Sequence, residues 1–101
     1  MPEGRILVVD DEKDIRNLVS AYLVKEGYRV SEAASGNEAL QIARSMHPDV
    51  IVLDIMLPAM SGLDVLTNLR TESDVYIIML TAKTEEVDKI VGLNMGADDY
   101  L

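Results

Sequence analysis

Residues 50–62, Val50-Ile51-Val52-Leu53-Asp54-Ile55-Met56-Leu57-Pro58-Ala59-Met60-Ser61-Gly62, decide the fold. An apolar, β-branched run ends abruptly in a carboxylate, with proline and glycine following, which is the pattern of a buried strand delivering Asp54 to its C-terminal end. In an open α/β sheet the ligand crevice lies beyond the carboxyl ends of the parallel strands, so other strands ending in reactive side chains should meet at the same edge. Two do so: Arg5-Ile6-Leu7-Val8-Val9 runs into Asp10 and Asp11, and Val75-Tyr76-Ile77-Ile78-Met79-Leu80 runs into Thr81. Three acids and one hydroxyl are therefore expected along one edge of one sheet.

Between these strands the spacing predicts helices. Ile15, Leu18, Val19, Tyr22 and Leu23 recur at helical intervals until Gly27, and predict an amphipathic helix packed on the sheet through those residues. Tyr28 to Ala34 reads as a weaker strand, and Ser35-Gly36-Asn37-Glu38 as a capping box that opens a second helix through Leu40, Ala43 and Met46. Ser61 to Asp64 starts a third helix carrying Leu63, Leu66 and Leu69, and Thr84 with Glu85 and Glu86 starts a fourth that Gly96 ends. Asp99-Tyr100-Leu101 begins a fifth strand. This alternation predicts an α/β fold with a parallel sheet and helices on both faces.

A length of 101 residues, 49% of them hydrophobic, predicts one domain with a single core. Cysteine is absent, which removes disulfides, thiolate metal sites and thiol catalysis. No apolar run reaches the length of a membrane span and the N-terminus has no signal-peptide pattern, so a cytoplasmic protein without membrane contact is expected. The formal net charge of −9 argues against a footprint on phosphate backbones, so any DNA contact is expected from elsewhere.

The clustered acids carry the chemistry. Taken singly, an Asp-Asp pair before a helix reads as an N-cap and a threonine at a strand end as a turn residue; their convergence on one edge is what points further. Adjacent carboxylates repel unless a divalent cation relieves them, and magnesium prefers hard oxygens, keeps several waters and completes its shell with phosphate oxygens. Asp10 and Asp11 are suited to hold Mg2+, Asp54 to share it and attack phosphorus, and Thr81 to supply a hydroxyl to the phosphoryl oxygens. A glycine-rich turn for a dinucleotide is lacking, since the first turn is Asp10-Asp11-Glu12. The same acids disfavour a flavodoxin-like cofactor binder, whose flavin phosphate needs donors there.

The combination of Ile-Leu-Val-Val-Asp-Asp from Ile6, Asp-Ile-Met-Leu-Pro from Asp54 with Gly62, Leu-Thr-Ala from Leu80 and Gly-Ala-Asp-Asp-Tyr-Leu from Gly96 resembles the receiver domain of bacterial two-component response regulators. The resemblance implies a flavodoxin-like doubly wound parallel five-stranded sheet in the order 2-1-3-4-5. It also implies Asp54 as phosphoacceptor, Asp10 and Asp11 as metal-binding acids with Asp54 and the Met56 backbone carbonyl, Thr81 as switch hydroxyl and Tyr100 as switch aromatic. A sensor histidine kinase would donate the phosphoryl group, and Pro58 and Gly62 would shape the loop after the acceptor. The segment from Gly92 to Tyr100 is close to transcription-factor members, which implies a DNA-binding effector domain outside this chain. It further implies homodimerisation on phosphorylation through the fourth-helix and fifth-strand face, with ion pairs from Lys89, Asp98 and Asp99.

The family pattern continues with a lysine, a proline and a fifth helix, so residues 1–101 are expected to be a receiver domain truncated at its C-terminal end, with an apolar face left uncovered. Lys83 and Lys89 do not match the position of that lysine. Met56 and Lys83 border the route of the attacking water in such domains, and an apolar Met56 implies slow loss of phosphate. The chain is expected to act as a phosphoacceptor and not as a turnover enzyme; the alternative is an interaction module of the same fold that works without phosphate.

Overall fold

The structure is a computed structural model that describes residues 4–55, 57, 59–80 and 98–100. The chain runs β1 (Arg5–Val9), α1 (Lys13–Lys25), β2 (Arg29–Ala33), α2 (Gly36–Met46), β3 (Val50–Asp54), α3 (Gly62–Arg70), β4 (Tyr76–Leu80) and β5 (Asp99–Tyr100). The strands form one sheet in the order β2-β1-β3-β4-β5, and every pairing is parallel. The fold class and strand order expected from the sequence are therefore those observed. The fourth helix expected after Thr84 lies outside the described residues.

Register decides which side chains make the core. Leu7, Ile51 and Ile77 lie side by side across the sheet, and Val9, Leu53 and Met79 form the next row on the same face. All six are essentially inaccessible, covered by Ala39 and Leu40 of α2 and by Val65, Leu66 and Leu69 of α3. Each fully buried aliphatic chain contributes about 1.5–3 kcal/mol relative to exposure, so this two-row stack is a large part of what holds the strands together. Both helices start where the sequence placed them: Ser35 Oγ accepts the Glu38 N–H at 3.2 Å and Ser61 Oγ accepts the Asp64 N–H at 3.3 Å. Near their other ends, Arg44 of α2 donates two 2.8 Å bonds to Glu72, which hold that carboxyl below its usual range.

The other face is built differently from the expectation. Helix α1 forms between the predicted limits and ends before Gly27, whose φ of 97° stops it. It lies against β1 and β2, but the residues turned inward are Arg16, Val19, Ser20 and Leu23; Leu18 and Tyr22 are 72% and 63% exposed and Ile15 is 37% exposed. The packing expected through Leu18, Tyr22 and Ile15 is thus corrected. Periodicity reports that a helix has an apolar stripe, whereas the direction in which the stripe points depends on how the helix is laid on the sheet. On this same face Val52 and Ile78 are only half-buried. Among the described residues the buried Ser20 hydroxyl has no hydrogen-bond partner.

Candidate functional site

β1 and β3 are adjacent and in register, Val9 opposite Leu53, so the residues that end them arrive together at the carboxyl edge. Asp10 directly follows Val9 and Asp54 closes β3. Asp10, Asp11 and Asp54 each bring one carboxylate oxygen into a group whose members all lie within 4.8 Å of one another. The three differ in setting: Asp10 is 4% exposed, Asp54 is half-buried and Asp11 is exposed.

Asp10 is held at its N–H, its carbonyl and one carboxylate oxygen. Its N–H donates to the Ala33 carbonyl at 3.1 Å, its Oδ1 accepts the Glu12 N–H at 2.9 Å, and its carbonyl accepts from Arg16 Nη1 at 2.9 Å. The helix-capping reading of the acidic pair is therefore met in part, because Asp10 ties down the turn into α1 while Glu12 is the formal cap and makes no side-chain cap bond. Arg16 is in turn bound by Glu32 at 3.0 Å, and its side chain is 16% exposed. Arg16 and Glu32 were not legible as site residues from the sequence. The one signal is weak: a cation in the first turn of a helix opposes the macrodipole at a cost of about 0.3–1 kcal/mol, and exposed Lys13 stands in the same turn.

Behind Asp54 the chain folds back on itself. The N–H groups of Leu57 and Gly62 both donate to the Ile55 carbonyl, at 3.1 and 2.8 Å, closing the loop that leads into α3. Gly62 is pressed on this backbone: a Cβ there would overlap the Asp54 carbonyl oxygen and stand 2.6 Å from Ile55 Cα. Leu57 is 8% exposed and anchors the middle of the loop in the core.

Two like charges 4.8 Å apart repel by about 1 kcal/mol in bulk water and by roughly 3–4 kcal/mol at an effective dielectric near 20, so three carboxylates at this spacing favour a cation between them. The donor set fits a divalent cation that takes hard oxygens and leaves part of its shell to water or phosphate. Of the other expected site residues, Thr81 and Met56 lie outside the described residues, as do Lys83, Lys89 and Pro58. Tyr100 is described through its backbone, which pairs with Met79 in β5. Asp98 is engaged within the chain: its Oδ2 accepts from Arg70 Nη2 at 2.7 Å and from the Ile77 N–H at 2.8 Å. Among the described residues no helix is long and apolar enough to cross a membrane.

Comparison with known proteins bears on this arrangement directly. The family model for the response regulator receiver domain matches residues 6–101. A probable transcriptional regulator ycf27 of Porphyridium aerugineum is 50% identical over all 101 residues, and the chain spans 42% of that relative's length. The BeF3-activated N-terminal receiver domain of Klebsiella pneumoniae RstA superposes with a TM-score of 0.94 at 33% identity, covering 97% of this chain and 84% of that one. The Vibrio cholerae chemotaxis protein CheY4 superposes with a TM-score of 0.93 at 37% identity, covering 98% of this chain and 85% of that one.

Proposed function

The chain belongs to the response regulator receiver domain family, and from that premise we propose that it is a phosphorylation-controlled switch whose phosphoacceptor is Asp54. The observation that carries the reading is the convergence of Asp10, Asp11 and Asp54 within 4.8 Å at the carboxyl edge of the sheet. Asp10, Asp11 and Asp54, with the Met56 backbone carbonyl, would hold Mg2+, which when bound supplies positive charge against the phosphoryl oxygens. An Asp54 carboxylate oxygen attacks phosphorus and forms the new P–O bond. The P–N bond to a sensor kinase's phosphohistidine breaks, and the imidazole leaves with the electron pair and takes up a proton. The protein acts here as a stoichiometric acceptor and not as a turnover enzyme.

Phosphate at Asp54 would draw in the Thr81 hydroxyl and let Tyr100 turn inward, reshaping the face of the fourth helix and fifth strand. Homodimerisation there would use Lys89, Asp98 and Asp99, with Asp98 exchanging or sharing the Arg70 partner it has within the chain. Likeness to a probable transcriptional regulator of more than twice this length supports control of an attached DNA-binding domain, in the cytoplasm where such kinases deliver phosphate. An apolar Met56 beside the site supports slow phosphate loss.

The test is incubation of the full-length protein with Mg2+ and a small acyl-phosphate donor, followed by intact mass. A Mg2+-dependent gain of one phosphoryl group that vanishes in Asp54→Asn is expected. Labelling retained in that variant would move the acceptor elsewhere, and no labelling of the parent protein would favour the phosphate-independent interaction module.

A further inference from the structure

We propose that Arg16, clamped by Glu32, is a positioning residue for cation binding at the Asp10–Asp11–Asp54 cluster, an inference that rests on the metal-assisted reading above. Arg16 stands in the first turn of α1, where the helix dipole disfavours a cation, and its side chain is largely withdrawn from water. A charge so withdrawn from water needs partners, and they are specific: Nε to Glu32 Oε1 at 3.0 Å and Nη1 to the Asp10 carbonyl at 2.9 Å. The planar guanidinium makes both bonds at once in a fixed geometry, which a lysine ammonium on a flexible stem does not reproduce.

The target of the second bond is what gives Arg16 a role at the site. Asp10 is the buried member of the acidic cluster, and its N–H and Oδ1 are already tied to β2 and to the Glu12 N–H. Its carbonyl is the remaining backbone group, and Arg16 fixes it. With carbonyl, N–H and one carboxylate oxygen all held, Asp10 presents its carboxylate in one orientation before any cation arrives. Groups that orient metal ligands in this way typically matter 10–100-fold in metal affinity.

A competing view, that Arg16 acts only through its charge, makes the opposite prediction. A positive charge near the cluster repels Mg2+, so as a charge alone its removal should tighten binding. Glu32 at 3.0 Å compensates that charge, which leaves the bond to the carbonyl as the main effect. The two views separate in a Mg2+ titration of the full-length protein, followed by amide chemical shifts, with thermal unfolding measured in parallel without metal.

Arg16→Ala should weaken Mg2+ binding roughly 10–100-fold, and Arg16→Lys should fall between it and the parent. Glu32→Gln should weaken binding as well, because the clamp loosens and the cation loses its counter-charge. Leu69→Ala, a core truncation distant in sequence from the site, should lower the melting temperature yet leave Mg2+ affinity within about twofold, separating positioning from general stability. Unchanged or tighter binding in Arg16→Ala, or in Arg16→Lys and Glu32→Gln should the alanine variant not fold, would overturn the proposal. Absence of Mg2+ binding by the parent would overturn the site reading beneath it.

Discussion

Gly62 lies in van der Waals contact with the backbone of Asp54, so closely that no side chain fits between the start of α3 and the end of β3. The same residue donates its N–H to the Ile55 carbonyl at 2.8 Å, so the helix is pinned to the strand end one residue past Asp54. The acidic edge therefore depends on a residue that carries no functional group.

Gly62→Ala should destabilise the protein by about 1–3 kcal/mol or more, since the methyl meets backbone and not a side chain that could rotate away. Urea unfolding measures the loss, and acyl-phosphate labelling of Asp54 should slow in the same variant. A fully stable Gly62→Ala protein would mean that α3 can shift away from β3 at little cost.

Asp11 is exposed whereas Asp10 is buried, so the two acids should separate function from folding. Asp11→Ala should leave metal-free stability within about 0.5 kcal/mol of the parent, as surface changes usually do. Mg2+ affinity should nonetheless fall, because the substitution deletes one of few ligand oxygens. An unaltered Mg2+ titration would remove Asp11 from the ligand set.

Ser20 buries its hydroxyl on the inner side of α1 with no partner among the described residues. Ser20→Ala removes that cost and improves helix propensity, so stability should rise by about 1 kcal/mol. For a domain near this size the melting temperature should increase by roughly 4–8 °C. A decrease would show that the hydroxyl is satisfied in solution.

Arg70 and Asp98 join the end of α3 to the start of β5 through a 2.7 Å bond, and Asp98 also caps the Ile77 N–H. A double-mutant cycle between Arg70→Ala and Asp98→Ala should give coupling on the order of 1 kcal/mol. Amide exchange of Ile77 should accelerate in Asp98→Ala. Zero coupling together with unchanged exchange would mean that β5 holds its place on β4 without the pair.

Much of this was readable from local signals. The run Val50–Asp54, with the matching runs before Asp10 and Thr81, specified strands, a parallel sheet and the edge at which the acids meet, because a short apolar, β-branched run and its abrupt polar end are properties of the chain itself. Ser35 and Ser61 as helix caps were legible for the same reason: a cap bonds within three residues.

The orientation of α1 was not legible, since Ile15, Leu18 and Tyr22 satisfy the helical period equally whether they face the sheet or the solvent. Neither was the full bracing of Asp10: its bond to Glu12 is local, but Ala33 and the Glu32 that holds Arg16 come from β2. The resemblance assigns Asp98 to ion pairs between subunits, and it is the approach of α3 across 28 positions of chain that gives it Arg70 within the chain. Sequence alone thus determined which residues could do chemistry and at which edge they would stand, because residue type and strand direction are local. Tertiary structure decided the distances among Asp10, Asp11 and Asp54, the close approach of Gly62 and the clamp on Arg16, because each depends on segments that meet only after the sheet has assembled.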